Sequence, residues 1–257
     1  MTLTIAPYHA IESLIAIVIL ALVHLFVREL HRLDVDSRNT LLSMGAGASL
    51  AYVLMRILPK LAEKQQSLVA STDTSVLGFL EHHVYLAALA GLVLYYGLYR
   101  VAVYGAGWES ESPLRYRVAM IAAAAGHGAY SMLLGYLIVS RLSFGLFSVT
   151  LIVVGIGTVL LVTDYSLYKK WPYPYDRWMK WILTIGLFAG WAFGVFLEVS
   201  PNVVAVWFAF VAGVILFTTI GEKMVVEERG SFWPFSAGAA TFTALLLILE
   251  GITPAVS

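Results

Sequence analysis

Long apolar stretches, separated by short polar connections, repeat along the whole chain. Eight of them approach the roughly 20 residues that a helix needs to cross a bilayer core, at about 8–28, 40–60, 78–104, 115–140, 143–168, 178–199, 202–225 and 232–251. The apolar residues are continuous rather than alternating, which favours helices over barrel strands. The pattern therefore predicts eight transmembrane helices, with the longest polar connection at about 62–75.

The composition points to a membrane environment. The 257 residues are 60% hydrophobic and only 12% charged, with a mean hydropathy of +0.83, whereas soluble domains average about 25% charged residues. Only helices or closed barrels span lipid, so we expect an all-α integral membrane protein with the lipid bilayer as a partner. Zero net charge argues against nucleic-acid binding, and the lack of cysteine excludes thiolate metal sites and disulfides.

The distribution of basic residues predicts the orientation. If the N-terminus lies outside, twelve of the sixteen lysines and arginines fall on the inner side, where short loops carry an excess of basic residues. The segment "KKWPYPYDRWMKW" at 169–181 sets lysines beside Trp and Tyr, as at a cytoplasmic interface with an aromatic belt. We therefore predict a protein of the cell membrane with both termini outside.

A short internal similarity indicates a repeat. The segment "AGASLAYVLMR" at 46–56 aligns with "AGVILFTTIGE" at 212–222, with one Ala-Gly pair on the other. These segments lie on predicted helices two and seven, which cross the membrane in opposite directions. We therefore predict an inverted 3+2+3 repeat, a common transporter plan, within a single membrane domain 1–257. Its parts are a first three-helix repeat 1–105, a central helix pair 106–170 and a second repeat 171–257.

One ionisable residue lies near the middle of a predicted helix. His127 stands between two glycines in "MIAAAAGHGAYSMLLGYLIVS" at 120–140. Charged groups at this depth cost about 2.5–3.5 kcal/mol on insertion scales, so an ionisable residue marks a candidate functional site. His127 is either a metal ligand or proton relay, or a neutral imidazole bonded to a neighbouring carbonyl or hydroxyl. The glycines either allow close helix packing or leave room for a solute.

Other ionisable residues lie closer to the helix ends. His24 and Asp164 are placed one or two turns from the inner face. Asp164 either pairs there with Lys169 or Lys170 or has a functional role. The run "EHH" at 81–83 fits a solvated mouth, since adjacent helical residues point about 100° apart and cannot all face one site.

The eight helices and several short motifs resemble the ZIP (Zrt/Irt-like) family of divalent-metal transporters. That family has eight helices with both termini outside. Helix two has Gly47 and Leu50, followed by Pro59, and is similar to the family's Gly-x-x-Leu and His-x-x-Pro-Glu. Helix four has His127 at the family's first ligand position and Gly135 at the place of a later glycine.

The resemblance extends to helices five and seven. Asp164 and Tyr165 are similar to the Asp-Phe of the family's fifth helix, and the Ala-Gly segment ending at Glu222 is similar to its seventh. It covers nearly the whole chain, although each motif matches only in part. It implies a ZIP-like fold and a divergent member of the family.

Most of the family's metal ligands are missing. Small, hydroxyl or apolar side chains stand at the other ligand positions, which are Gly128, Ser131, Ile156, Gly157, Leu160 and Leu161. Arg56 and Lys60 replace a His and a Glu on helix two, and fixed positive charges repel an entering cation. An anionic or organic solute suits them better. We expect His127 to face the protein interior near helix five, without a bound metal.

Three classes of function remain open. The first is a ZIP-like transporter of a small ion or solute. Its candidate substrates include a divalent metal, which would bind at a degenerate form of the family's metal site. The candidate path residues are Arg56, Lys60, His127, Ser131, Asp164 and Glu222, with His127 as the one candidate metal ligand. The second is a non-transporting scaffold, regulator or assembly partner, as a homodimer or with a membrane partner. The third, an intramembrane metal hydrolase, needs three converging ligands. We expect no enzyme activity and no resident cofactor, with zinc as the doubtful exception.

Overall fold

The computed structural model describes residues 7–69, 84–106, 112–141, 146–197, 199–221 and 231–252. Within these ranges the chain forms helices, with short turns and no strand. In this described part of the chain, eight helices are long and apolar enough to span a membrane. The predicted all-α class and the number of candidate spans are therefore confirmed.

The helices are numbered α1–α8 along the chain, and several contain short irregular turns. The first four are α1 (Pro7–Phe26, continued by a 3-10 turn at Val27–Arg32), α2 (Val35–Tyr52, a π turn at Val53–Ile57, then Leu58–Val69), α3 (Val84–Ala106) and α4 (Pro113–Arg141). The last four are α5 (Leu146–Lys170), α6 (Pro172–Pro174, a π turn at Tyr175–Met179, then Lys180–Phe196), α7 (Pro201–Leu216, then a π turn at Phe217–Gly221) and α8 (Phe232–Ile252).

Two helices begin earlier than the apolar pattern predicts. α2 begins at Val35 because the Asp34 carboxylate accepts a hydrogen bond of 2.9 Å from the Ser37 amide, which caps the helix. α6 begins at Pro172, inside the aromatic segment 169–181, and proline is favoured in the first turn of a helix. Both starts are polar or aromatic, so hydropathy alone places them too late.

Part of the predicted polar connection 62–75 is helical instead. α2 continues to Val69, and residues 70–75 lie outside the described part of the chain. Leu61 on this extension is buried in a small apolar cluster with residues of α3 and α7. The Gln65 side-chain oxygen accepts a 3.1 Å hydrogen bond from the Val84 amide, which begins α3. The extension is thus held by packing and by one polar cap.

The helices form an inner group and an edge. The most extensive contacts join α4 with α6, α2 with α8, and α3 with α7, and further contacts join α1 with α5 and α6, α2 with α5, α3 with α4, and α4 with α7. Only 28%, 28% and 22% of the apolar windows of α3, α6 and α8 are buried, against 56% for α2, α5 and α7. Apolar side chains on α3 and α8, such as Leu94 and Ile248, are therefore exposed on the outside of the bundle.

Small residues allow the helices to approach closely. A Cβ on Gly47 would overlap the carbonyl oxygen of Phe235 on α8, and a Cβ on Gly155 would meet the ring of Tyr52. A side chain at either position would push two helices apart. The packing interpretation of the Gly-Ala clusters at 45–49 and 155–157 is confirmed at these two glycines.

Candidate functional site

His127 lies in the middle of α4 and is buried, with 5% of its surface exposed. Its Nδ1 is 2.7 Å from the carbonyl oxygen of Ala123, and its Nε2 is 2.8 Å from the hydroxyl of Tyr95 on α3. Because a carbonyl oxygen only accepts, Nδ1 carries the hydrogen and Nε2 accepts from Tyr95. The imidazole is arranged as a neutral group, and its partner on another helix belongs to α3 rather than to α5.

The glycines beside His127 pack against neighbouring helices. A Cβ on Gly126 would overlap the side chain of Leu98 on α3, and a Cβ on Gly128 would lie too close to Ile182 on α6. The space next to both glycines is therefore filled by other helices. Of the two interpretations, helix packing agrees with the structure and an open passage at these glycines does not.

A second buried histidine forms a polar cluster near the end of α1. His24 Nδ1 is 2.5 Å from Asp164 Oδ2 on α5. The Tyr175 hydroxyl on α6 lies 3.1 Å from the same carboxylate oxygen and 3.0 Å from the His24 carbonyl oxygen. His24 and Tyr175 are fully buried, and Asp164 is 1% exposed. The three side chains, called here the His24 cluster, join three helices.

The turn between α5 and α6 brings Tyr175 back to Asp164. Trp171 alone separates α5 from α6, which begins at Pro172. The Tyr175 amide bonds to the Trp171 carbonyl at 2.9 Å, so the chain re-enters a helical path at once. His24 reaches the same place because α1 packs against both α5 and α6.

The lysines that follow Asp164 on α5 are not its hydrogen-bond partners. Among the described residues, Asp164 pairs with His24 and Tyr175, so the expected alternative of a pair with Lys169 or Lys170 is wrong. The Lys170 ammonium lies 3.8 Å from the centre of the Tyr99 ring, which is a cation–π contact.

Arg56 and Lys60 line a cavity of about 60 Å³ between α2, α4, α5 and α7. Its other walls are mostly apolar, with Leu134, Ile156 and Val211 among them. The cavity thus combines two cationic side chains with an apolar interior. This combination suits a small solute that has both an anionic and an apolar part.

The remaining sequence candidates do not join these sites. Ser131 is buried on α4, one turn after His127, and it is not among the residues that line the cavity. Glu222 and the "EHH" run at 81–83 lie outside the described residues. In the described part of the chain, no three His, Asp or Glu side chains are grouped to hold a metal ion.

The architecture and its buried polar groups define the class: an all-α, multi-pass membrane protein. A comparison with protein-family models finds no match to the chain, and a comparison with curated proteins finds no relative. Its function is therefore inferred from its own helix contacts, cavity and buried polar groups.

Sequence reasoning named Asp164 and missed His24 and Tyr175 as its partners. The signal was present in part, because His24 and Asp164 were placed at the same depth, one or two turns from the inner face. Tyr175 was included in an interfacial aromatic belt. Residues 140 positions apart in sequence, as His24 and Asp164 are, give no local pattern that would join them.

Proposed function

We propose that this protein is a ZIP-like membrane transporter built as an inverted 3+2+3 repeat, with both termini outside. The helix contacts support the repeat. The repeat relates α1 to α6, α2 to α7, α3 to α8 and α4 to α5. Under this relation the α1–α5 contact corresponds to α6–α4, the α2–α8 contact to α7–α3, and the α2–α5 contact to α7–α4. All six contacts occur in the structure. Because successive spans cross in opposite directions, α2 and α7 run oppositely and the repeat is inverted.

Two glycine contacts between α2 and α8 define a register for one half. A Cβ on Gly47 would overlap the carbonyl oxygen of Phe235, and a Cβ on Gly238 would overlap that of Met44. On α2 the two contacting residues are three positions apart, and on α8 they are also three positions apart. This spacing places both contacts on one face of each helix.

The contact between α7 and α3 has the same register in the other half. A Cβ on Gly213 would overlap the carbonyl oxygen of Ala88, and a Cβ on Gly91 would overlap that of Phe210. The spacings are again three residues on each helix. The alignment of 46–56 with 212–222 pairs Gly47 with Gly213, so the internal similarity of sequence and the glycine contacts support the same repeat.

The cavity lined by Arg56 and Lys60 carries the proposal of transport. Its walls come from α2 and α7, which exchange in the repeat, and from α4 and α5, which also exchange. Transporters with inverted repeats bind their substrates at the interface between the repeats. The substrate class proposed from the lining is a small organic anion with an aliphatic part.

A divalent cation fits this cavity poorly. Arg56 and Lys60 stand where the ZIP motif has a His and a Glu, and Ile156, which lines the cavity, stands at another ligand position. Two fixed positive charges disfavour a cation at close range. We therefore propose an anion as the substrate, with no resident cofactor and no enzymatic reaction.

Uptake by proteoliposomes tests the substrate class. The purified full chain is reconstituted, and uptake of radiolabelled butyrate is compared with uptake of radioactive zinc. We expect butyrate uptake to exceed that of empty liposomes and to fall at least tenfold in Arg56→Gln and in Lys60→Gln, with no zinc uptake. Arg38→Gln, near the start of α2 and outside the cavity, is the matched control and should transport normally.

Zinc uptake that depends on His127, without butyrate uptake, would instead support a metal substrate. Uptake of neither solute would favour the second candidate, a non-transporting membrane protein. One observation favours that candidate: an apolar groove of about 320 Å³ between α2, α5 and α8, lined among others by Met44, Val154 and Phe242. A stably co-purifying membrane protein or a homodimer that contacts this groove would support it.

A further inference from the structure

We infer that the His24 cluster is an intramembrane proton-binding site, in which Nε2 of His24 takes up and releases one proton. The site is separate from the cavity at Arg56 and Lys60, because none of its three side chains lines that cavity. The inference does not depend on which solute the protein moves. It assigns a ligand, the proton, to a group of residues that the proposed transport does not use.

The geometry leaves one nitrogen of His24 available. Asp164 engages Nδ1, so the carboxylate fixes both the ring orientation and the hydrogen on Nδ1. Nε2 is buried and has no hydrogen-bond partner among the described residues. A carboxylate behind one nitrogen and a lone pair on the other is the arrangement of an imidazole that accepts protons.

The charge balance favours uptake of a proton at Nε2 of His24. With Nε2 unprotonated and Asp164 ionised, the buried pair has a net charge of −1. A proton from water added to the Nε2 lone pair forms an imidazolium beside the carboxylate and brings the net charge to zero, and its loss returns the proton to water. A net charge is disfavoured in a buried site, and a hydrogen-bonded ion pair with zero net charge is disfavoured less. Burial of the cluster therefore favours proton uptake.

The neighbouring charged groups do not replace the proton. On α6, Asp176 is held by Arg28, which follows α1, at 3.4 Å, and by Lys180 at 3.9 Å. On α5, Lys170 lies over the Tyr99 ring. On α4, His127 has both ring nitrogens bonded within the protein. No lysine or arginine in the described part of the chain forms an ion pair with Asp164, so His24 is the group that can balance its charge.

The position of the cluster allows a change in protonation to affect the packing of the helices. The cluster joins α1, α5 and α6, and the backbone on two of these helices becomes irregular beside it. α1 passes into a 3-10 turn at Val27, and Tyr175 begins a π turn in α6. Single π turns within helices are frequent at functional sites. His24 lies within one turn of Phe26, where the α-helical part of α1 ends.

Solid-state NMR of the full chain, labelled with ¹⁵N-histidine and reconstituted in lipid bilayers, tests the site without any solute. The His24 signals are assigned by their loss in His24→Gln. As the pH falls from 8 to 5, we expect Nε2 of His24 to become protonated while Nδ1 stays protonated throughout. In Asp164→Asn, half-protonation should require at least a tenfold higher proton concentration, because the carboxylate that balances the imidazolium is gone.

Asp176→Asn is the matched control, since this carboxylate follows Tyr175 in the same π turn but pairs with Arg28 and Lys180; it should move the His24 titration less than Asp164→Asn does. Tyr175→Phe is a second, milder variant, which removes only a hydroxyl bonded to Asp164 and should move the midpoint measurably. A constant His24 spectrum from pH 8 to 5 would overturn the inference. So would a titration that is identical in the wild type, Asp164→Asn and Tyr175→Phe. Failure of butyrate uptake bears on the transport proposal alone.

Discussion

Two histidines, His24 and His127, are buried among the described residues of this membrane protein, and they are held in different ways. His127 has a carbonyl partner on one nitrogen and the Tyr95 hydroxyl on the other. His24 has a carboxylate on Nδ1, and its Nε2 has no partner among the described residues. The difference teaches that position near the middle of the bilayer does not identify the reactive group. The partners of each nitrogen do.

The comparison also revises which residues are of interest. His127 stands out in the sequence because it is alone in a long apolar helix. Its neighbours satisfy it fully, so it has the features of a structural hydrogen-bonding residue between α4 and α3. His24 is inconspicuous near a helix end, yet its pair with Asp164 combines ionisable groups with complete burial. Such buried pairs are costly and mark functional sites.

The largest expected effect follows from removing the carboxylate. Asp164→Ala should lower the free energy of unfolding by about 3–5 kcal/mol, because it leaves the partner imidazole buried without its acceptor and removes one of the two oxygens within hydrogen-bond distance of the Tyr175 hydroxyl. Denaturant unfolding in detergent micelles measures the change. Asp176→Ala, which breaks a partly exposed pair with Arg28, should cost no more than about 1 kcal/mol.

The double variant His24→Leu, Asp164→Leu sharpens the same point. Replacing both members of a buried pair by apolar residues is often close to neutral, so most of the stability lost in Asp164→Ala should return. Proton binding should be absent in this variant. A double variant as unstable as the single one would show that the loss has another cause, such as poor packing.

A smaller effect is expected at the other histidine. His127→Ala removes two hydrogen bonds and leaves the Tyr95 hydroxyl without its acceptor, which should cost about 1–3 kcal/mol. Unfolding under the same conditions provides the measurement. A cost equal to or above that of Asp164→Ala would contradict the ranking of the two sites.

The two tyrosines give a matched pair of still smaller changes. Tyr95→Phe and Tyr175→Phe each remove one hydroxyl, and hydrogen bonds between membrane helices average about 0.6 kcal/mol and reach about 1.7. Tyr175→Phe should lie at the upper end, because its hydroxyl contacts both a carboxylate and a carbonyl oxygen. The reverse order of the two variants would argue against a charged acceptor at Asp164.

The smallest effect concerns an exposed carboxylate, which serves as the reference for the buried one. Hydrogen bonds from Ser37 lower the pKa of Asp34 below its usual 3.8. The cap therefore contributes to helix stability fully above pH 3.8 and loses that contribution as the pH falls through the lower folded value. The protection factor of the Ser37 amide against hydrogen exchange should stay constant down to about pH 4 and fall below it. A fall already near pH 6 would contradict this.

Much of the fold could be predicted, because its determinants are local. Lipid requires about 20 apolar residues per helix, so eight apolar stretches suffice to predict eight helices. The ends of the helices were harder to predict from the sequence, because the Asp34 cap and the Gln65 contact with α3 each depend on a single polar group. The small residues at 45–49 indicated close packing, and Gly47 does lie at a tight contact between helices.

Local sequence suffices to predict the membrane class and the number of candidate spans, since hydropathy and helical spacing act over neighbouring residues. Only the tertiary structure decided which buried groups meet. It paired His24 with Asp164, satisfied His127 through Tyr95, and set Arg56 and Lys60 against an apolar cavity. The physical reason is that a hydrogen bond of about 3 Å between residues on different helices depends on how those helices pack, and no stretch of local sequence encodes that distance.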